Sequence, residues 1–468
     1  MGLINLRKLV LLVSMFLLLF ACSEKKIDDS YVVQIDKAGL RKGVFERRFK
    51  LSNDYGKNTE FSVETLKNFI DKTLLPEYLF IEKAYDLGFD QDPQIKNSVL
   101  ELKMNALASN HPIHSKDIFL SDESVIDFYN NKSDLYDFDI IQNSSYYLAD
   151  SMYKFLEAGN KLQKENEAKS NMFPRTISYL NKSYGETVPK DIFDKIEEMQ
   201  VGDISKPIYT PPVWAIVKLN KKLKNNLLLP IDDMKQTLIK ELQNYEKVEQ
   251  VKKFTQELKN KYQLEIVNVD YNKLIEAFVI TEDQHGYFNR TKYDGSPSDI
   301  IIFNTTKGSL NLDQFFFLFN RANQFSQLVK VVKEDLEVFI NDLADQFVLY
   351  IDALDENIES EESVADQIEN KLNRSLLTKF LKEQISEKIN LSDNEVKKYY
   401  DEHRDKWQGE FDVVKSSLIN EMRKSRMYEY RDNLINNYKE EYSILYNQKV
   451  LQELAEKFTK EKINPNSK

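Results

Sequence analysis

The sequence predicts a mainly α-helical protein of two tandem, related helical units, the first of which contains an α+β insert. The main observation is a long-range repeat, because residues 120–129 resemble residues 391–400 in their Leu-Ser-Asp start and their final pair of aromatic residues. Further on, residues 238–242 resemble residues 418–422 at a much shorter separation. The repeat is far longer than the roughly 20–50 residues of a solenoid unit, so it indicates a duplicated domain.

The change in spacing places an extra segment in copy one, between about Phe138 and Leu229. Copy two has no counterpart of this segment. The predicted segments are a targeting peptide (1–22), the N-terminal part of copy one (30–137), the insert (138–222), the returning part of copy one (223–275) and the second unit (298–460).

Both copies open in the same way. Residues 31–35 read Tyr-Val-Val-Gln-Ile, which predicts a strand, and Phe45 and Phe49 then share one face of a helix. Copy two repeats this pattern with residues 300–303 and with Phe315 and Phe319. We therefore expect a strand, a turn and an aromatic helix at the start of each unit.

Helix boundaries follow from capping residues. Pro76 predicts a kink in the next long helix of copy one, and Gly88 is typical of a helix C-terminus. Ser121 is suited to cap the N-terminus of the helix that follows.

Each copy ends in a long helix and a short strand. In copy one the helix covers about residues 231–262 and the strand residues 264–267; in copy two the strand covers residues 442–445. We expect the first strand and the last helix of each copy to enclose its middle, so that each copy forms one helical unit.

The composition limits the possible functions. The chain of 468 residues has 65 Lys and Arg against 76 Asp and Glu, a formal net charge of −11. Phosphate binding needs clustered basic residues, so this balance argues against a nucleic-acid partner. No cofactor-binding motif or metal cluster is recognised, so we expect neither a cofactor nor a metal site.

The N-terminus resembles the signal peptide of a bacterial lipoprotein. Arg7 and Lys8 precede an apolar run at residues 9–20, which is short for a transmembrane helix. Residues 19–22 resemble a lipobox, and Cys22 is the single cysteine of the chain. We expect lipidation of Cys22 and, because Ser23 follows it, attachment to the periplasmic face of the outer membrane.

The end of the insert carries a recognisable motif. Val188 and Pro189 precede a helix that contains Phe193, and residues 202–208 read Gly-Asp-Ile-Ser-Lys-Pro-Ile before a strand at 213–219. This pattern resembles the end of a parvulin-type peptidyl-prolyl isomerase domain. With the helical frame around it, residues 31–275 resemble foldases of the SurA/PrsA type, and copy two resembles the same frame without the parvulin domain.

The catalytic pattern of that family is broken in this sequence. The resemblance assigns histidines to the first and the last strand of the domain, but Ile140 and Ile141 stand at the first place and Ala215 at the second. The four histidines of the chain all lie outside the insert, at positions 111, 114, 285 and 403. We therefore name no catalytic residue and expect a degenerate domain that is kept for peptide binding or for spacing.

Aromatic residues are the candidates for peptide binding. They are Tyr179, Phe193 and Trp214 in the insert and Phe315, Phe316 and Phe319 in the run at residues 314–319, although burial in a core is an alternative for all six. The pair His111 and His114 has no supporting carboxylate pattern, and we interpret it as part of an inter-helix loop.

The sequence thus predicts a lipid-anchored extracytoplasmic chaperone that binds unfolded or translocating polypeptides. Two alternatives stay open. One is an active peptidyl-prolyl isomerase with an unusual site. The other is an envelope assembly or scaffold lipoprotein with one fixed partner. Fold resemblance alone does not choose between them.

Overall fold

The structure is a computed structural model that describes residues 27–160, 175–186, 188–281, 286–326, 328 and 330–463. The predicted targeting segment 1–22, with Cys22, lies outside these residues, as does His285. The chain divides into two compact units, unit 1 with Met1–Val99 and Ser360–Lys468 and unit 2 with Leu100–Glu359. Among the described residues, no helix is both long and apolar enough to cross a membrane.

The elements are numbered in chain order. The strands are β1 (Tyr31–Ile35), β2 (Ala38–Arg41), β3 (Asp134–Asn143), β4 (Arg175–Lys182), β5 (Ile208–Thr210), β6 (Val213–Lys224), β7 (Glu265–Ile266), β8 (Phe278–Ile280), β9 (Gly286–Phe288), β10 (Ile301–Asn304), β11 (Ser309–Asn311) and β12 (Ile444–Tyr446). The helices are α1 (Lys42–Lys50), α2 (Asn53–Lys57), α3 (Val63–Phe69), α4 (Leu75–Asp86), α5 (Pro93–Ser109), α6 (Asp122–Asn131), α7 (Tyr146–Glu157), α8 (Lys190–Glu198), α9 (Ile231–Lys261), α10 (Tyr271–Ala277), α11 (Leu312–Ser326), α12 (Lys333–Asp355), α13 (Glu362–Phe380), α14 (Asp393–Glu402), α15 (Phe411–Glu441) and α16 (Gln448–Ile463).

The local helix signals of the repeat are confirmed. Ser121 caps α6 by accepting a hydrogen bond from the amide of Ser124, and Ser392 caps α14 in the same way with the amide of Glu395. Gly88, just after α4, has a left-handed φ of 72°, as a helix C-terminus requires. Capping of this kind depends on neighbouring residues only, so short sequence patterns are sufficient to predict it.

The closing strands of the two copies are exchanged. β12, which ends copy two, pairs antiparallel with β1 of copy one, with Gln34 opposite Leu445. β7, which ends copy one, pairs with β10 of copy two, with Asn304 opposite Glu265. The expectation that the ends of each copy meet is therefore wrong, and each compact unit combines the start of one copy with the end of the other.

The two opening hairpins have the same form, which permits the exchange. The hairpins β1–β2 and β10–β11 are equivalent, so each offers the same edge to either closing strand. The chain from β7 to β10 is much shorter than the chain from β1 to β7. Because a shorter loop loses less entropy on closing, loop length favours the pairing of β7 with β10. It opposes the pairing of β12 with β1, the more distant of the two hairpins, so loop length alone does not determine the exchange.

The core of unit 1 joins the two copies through aromatic rings. Phe49 of α1 has its ring centroid 5.2 Å from that of Phe458 in α16, and Phe80 of α4 stacks on Phe380 of α13 at 5.0 Å. All four rings are buried. Beside this core, Arg41 forms an ion pair of 2.6 Å with the buried Asp366. Buried aromatic rings therefore contribute to the contact between the exchanged parts, together with aliphatic residues of the same cluster.

The insert forms a four-stranded antiparallel sheet in unit 2, in the order β4-β3-β6-β5. One face packs on α7 through Ile141, Ala149 and Ile216. The other face packs on α6, α8 and α9. The sheet therefore has a core on each side, which is why β3 and β6 contain so many apolar residues.

Copy two shows what the insert replaces. There, Val396 of α14 packs directly on Leu418 of α15, and residues 403–410 connect the two helices. In copy one, Val125 of α6 and Leu238 of α9 share one apolar cluster with the inserted sheet. The insert between α6 and α9 thus occupies the position that a short connection has between α14 and α15.

The exchange predicts which engineered cysteines form disulfides. In a Cys22→Ser background, we expect Gln34→Cys with Leu445→Cys to cross-link within one chain, and Glu265→Cys with Asn304→Cys to do the same. Facing residues of antiparallel strands lie within the distance that a disulfide spans. Mass spectrometry of non-reduced peptides identifies the bonds. Efficient cross-linking of residue 34 to residue 265 instead would show that copy one closes on itself.

Candidate functional site

Of the positions that the resemblance assigns to histidines, Ile140 and Ala215 lie on one face of the inserted sheet, whereas Ile141 lies on the other. In the antiparallel register, Gln142 faces Ala215 and Ile140 faces Val217. Facing residues point to the same side, as do residues two apart along a strand. Ile140 and Ala215 are therefore neighbours on one face, and both are buried.

Apolar side chains cover this face. Phe193 of α8 is fully buried and lies edge-on to Phe138 of β3, with ring centroids 5.8 Å apart. Leu238 and Leu242 of α9 belong to the same cluster. No histidine or cysteine is present between residues 134 and 224. The face therefore offers no such side chain that could polarise a peptide bond or exchange a proton.

Next to this face lies an open groove with a volume of about 1050 Å³. The inserted domain forms one wall and α9 the other. Its lining includes Gln142, Val188, Thr210, Val213, Tyr245 and Val248. Gln142 and Thr210 place the groove beside the position of Ala215, since Gln142 faces Ala215 and Thr210 faces Val213 in the strand register.

Hydrogen bonds fix the wall that α9 contributes. The Tyr245 hydroxyl donates to the carbonyl of Val188 at 2.9 Å, and burial raises the pKa of Tyr245. Lys132 is almost fully buried and forms an ion pair of 2.8 Å with Glu241. Both contacts connect α9 to the insert or to the helix before it, so the groove has a defined width.

The rim of the groove is charged, and one apolar side chain projects beside it. Lys252 lies 3.2 Å from Glu249 and 3.7 Å from Asp191. Val248 is 56% exposed between these charges. Gly185 also lines the groove, with a φ of 87°, and a Cβ there would lie 2.4 Å from the ring of Phe128. An apolar strip with a polar rim is typical of surfaces that bind extended chains.

Residues 120–236 match the family model of the PPIC-type PPIASE domain. This part of the chain is a parvulin domain. No curated protein sequence matches the chain. The peptidylprolyl isomerase PrsA from Bacillus anthracis is 18% identical, with 49% of this chain and 96% of that chain covered and a TM-score of 0.21. The foldase protein PrsA from Streptococcus pneumoniae is 16% identical, with 47% and 87% covered and a TM-score of 0.21.

The three aromatic candidates in the parvulin domain do not line one groove. Phe193 is a core residue, and Tyr179 is half-buried with its ring stacked on Phe138 at 5.1 Å. Trp214 lies on the opposite face of the sheet from Ala215, because successive residues of a strand alternate. Burial in a core, the alternative from the sequence, describes Phe193 and also Trp214, which is 8% exposed.

The aromatic run of α11 is also placed in a core. Phe315 is completely buried, and Phe316 and Phe319 are 3% exposed. Phe288 of β9 lies between them, with ring centroids 4.8 Å from Phe316 and 4.7 Å from Phe319. The sequence could not show that a strand would cover these rings. The three rings are not exposed, although Phe319 contributes to the lining of a cleft that Trp214 also lines.

Trp214 holds the parvulin domain to α12. Its indole Nε1 donates to Asp335 Oδ1 at 3.0 Å, and the amide of Tyr146 donates to the same oxygen at 2.7 Å. Nearby, the Tyr209 hydroxyl donates to Asp342 at 2.6 Å. Sequence reasoning missed both aspartates because their partners lie more than a hundred residues away.

His111 belongs to a buried polar network. Its Nε2 lies 3.0 Å from Asp352 Oδ2, and its Nδ1 accepts from the amide of Ile113 at 3.2 Å. Asp352 Oδ1 also accepts from Lys261 at 2.6 Å and from Tyr262 at 2.5 Å. Glu356 could add a third ligand to a metal ion. However, hydrogen bonds within the protein already engage the imidazole of His111 and the carboxylate of Asp352. These hydrogen bonds account for the arrangement of the network.

Asp335 predicts a pH dependence of stability. Burial raises the pKa of Asp335 from 3.8 to about 6, although three hydrogen-bond donors act in the opposite direction. The folded protein therefore binds this proton more tightly than the unfolded chain, so stability is lost as pH rises through about 6. We expect the free energy of unfolding, relative to Asp335→Asn, to fall by at most about 3 kcal/mol between pH 4 and pH 7. Urea unfolding of both proteins measures this, and parallel pH profiles would refute it.

Proposed function

We propose that this protein is an extracytoplasmic chaperone that binds extended, unfolded polypeptide segments in the groove between its parvulin domain and α9. The observation that carries the proposal is the groove itself. Its apolar strip consists of Val188, Val213, Tyr245 and the exposed Val248, and charged residues form its rim. The parvulin-type domain of the chain is a second argument for the proposal that the protein binds polypeptides. No cofactor is needed, because reversible binding requires only weak contacts.

The same geometry favours binding without isomerisation. Catalysis needs groups that are placed to stabilise the transition state better than the ground state. Ile140 and Ala215 stand where the family has histidines, and both are packed against apolar neighbours. We infer that the domain binds peptides in its groove but does not catalyse cis–trans isomerisation.

Membrane attachment through Cys22 is part of the proposal. The lipobox-like residues 19–22 support it, as does the polar segment that follows them. Acyl chains on Cys22 would keep the protein at the outer membrane, where unfolded envelope proteins arrive.

The groove is tested with a matched pair of variants. We expect Val248→Asp to weaken client binding by about fivefold to tenfold, because the lost apolar contact contributes about 1 kcal/mol and a charge must be desolvated. Val413→Asp is the control, since Val413 is 78% exposed on α15, the equivalent helix of copy two. The measurement is suppression of aggregation of a chemically unfolded client by the mature chain from Ser23.

The same preparation is assayed for cis–trans isomerisation of a proline peptide, and we expect no acceleration. Isomerase activity that disappears in Ala215→Glu would support the active enzyme instead. Equal suppression of aggregation by Val248→Asp and Val413→Asp would exclude the groove as the client-binding site. If the wild-type protein neither suppresses aggregation nor accelerates isomerisation, the fixed-partner scaffold is the alternative that is left.

Anchoring is tested by fractionation. In a bacterial host that processes lipoproteins, we expect the wild-type protein in the membrane fraction and Cys22→Ser mostly in the soluble fraction, because the variant has no acyl chain. Labelling with a radioactive fatty acid gives an independent measurement. An unlabelled wild-type protein that stays soluble would remove this part of the proposal without affecting the groove.

A further inference from the structure

Unit 2 contains a second cleft, on the other side of the β5–β6 hairpin from the groove. Its volume is about 590 Å³. Pro212 and Val213 line both the cleft and the groove, so the two spaces are separated only by the hairpin. The cleft is formed by the hairpin on one side and by α11 and α12 on the other.

Apolar and aromatic side chains form most of the cleft wall. Trp214 of β6 and Phe339 of α12 contribute rings, and Val338 and Leu343 contribute aliphatic groups. Phe339 is half-buried, as is Val338. Aromatic faces attract cations when these approach within about 6 Å of the ring.

The charges of the cleft are not balanced. Glu101 is compensated by Arg321, with 3.4 Å between the carboxylate and the guanidinium. Asp335 and Asp342 also line the cleft, and neither forms an ion pair among the described residues. Their hydrogen-bond donors are neutral groups: an indole, backbone amides and a phenol.

Burial makes the negative charge of Asp335 unfavourable and raises its pKa to about 6. Asp342 is exposed at the rim, and partial desolvation beside the cleft wall raises its pKa as well. A cation close to Asp342 would favour its charged form. Because protein donors already hold Asp335, Asp342 at the rim is the group that is open to a ligand.

We propose that the cleft binds a basic side chain, arginine or lysine, of the same extended polypeptide that occupies the groove. The aromatic wall accepts the aliphatic stem and the face of the cation, and Asp342 accepts its hydrogen bonds. The inference rests on the proposed chaperone function, because the occupant is a client segment that crosses the hairpin at Pro212 and Val213. It adds a preference: clients with a basic residue near an apolar stretch bind best.

The test compares two labelled peptides that differ in one side chain. Both carry the same apolar residues, and one has a central arginine where the other has citrulline, which is neutral and almost the same shape. We expect the arginine peptide to bind the mature chain about fivefold more tightly at low salt, measured by fluorescence anisotropy.

Two variants locate the preference. Asp342→Asn keeps an acceptor for the Tyr209 hydroxyl and removes the charge, so we expect the two peptides to bind this variant within about a factor of two of each other. Glu337→Gln removes an equal charge from the same helix, at a residue paired with Lys333 that does not line the cleft. We expect this control to keep the full preference.

The outcomes separate the two proposals. Equal binding of both peptides by the wild-type protein, or a preference that survives Asp342→Asn, overturns the cleft assignment. If aggregation is still suppressed in a way that depends on Val248, the chaperone proposal stands in that case. If the protein binds neither peptide and suppresses no aggregation, both proposals fail.

Discussion

The exchange of closing strands is the constraint on which the rest of the architecture depends. β7 completes the sheet of copy two and β12 completes the sheet of copy one. α9 therefore starts beside the parvulin domain and ends against the elements of copy two, where Tyr262 donates to Asp352. One continuous helix, α9, thus forms a wall of the groove and also packs into the core of unit 2. A change that disturbs this core should thus also reach the groove.

Each face of the parvulin sheet is held by a different part of the chain. On the face of Ala215, α8 and α9 supply apolar cover. On the face of Trp214, the buried hydrogen bond to Asp335 provides a specific contact. Ile140 and Ala215 are buried in the apolar cluster of this face and add no side-chain polar group that would need a partner there, which favours stability.

The part of this structure that sequence could predict is the part that depends on neighbouring residues. The Ser121 cap and the extent of α9 were predictable because capping and helical periodicity are local. The identity of the parvulin domain was predictable from one motif at residues 202–208. The exchange was not, since two equivalent hairpins offer the same edge and sequence similarity cannot tell which one a closing strand chooses. The partners of Trp214 were hidden for a related reason, because α12 belongs to the other copy.

The β5–β6 hairpin contributes residues to both the groove and the cleft. Val213 at the start of β6 lines both the groove and the cleft, Trp214 next to it lines the cleft, and Ala215 lies on the sheet face of Gln142, which lines the groove. The alternation of a strand thus presents one short segment to two binding spaces. In the resembling family this strand carries a histidine at the position of Ala215; here its neighbour Trp214 connects the sheet to Asp335. A client chain that crosses Pro212 would meet the groove on one side of the hairpin and the carboxylates of the cleft on the other.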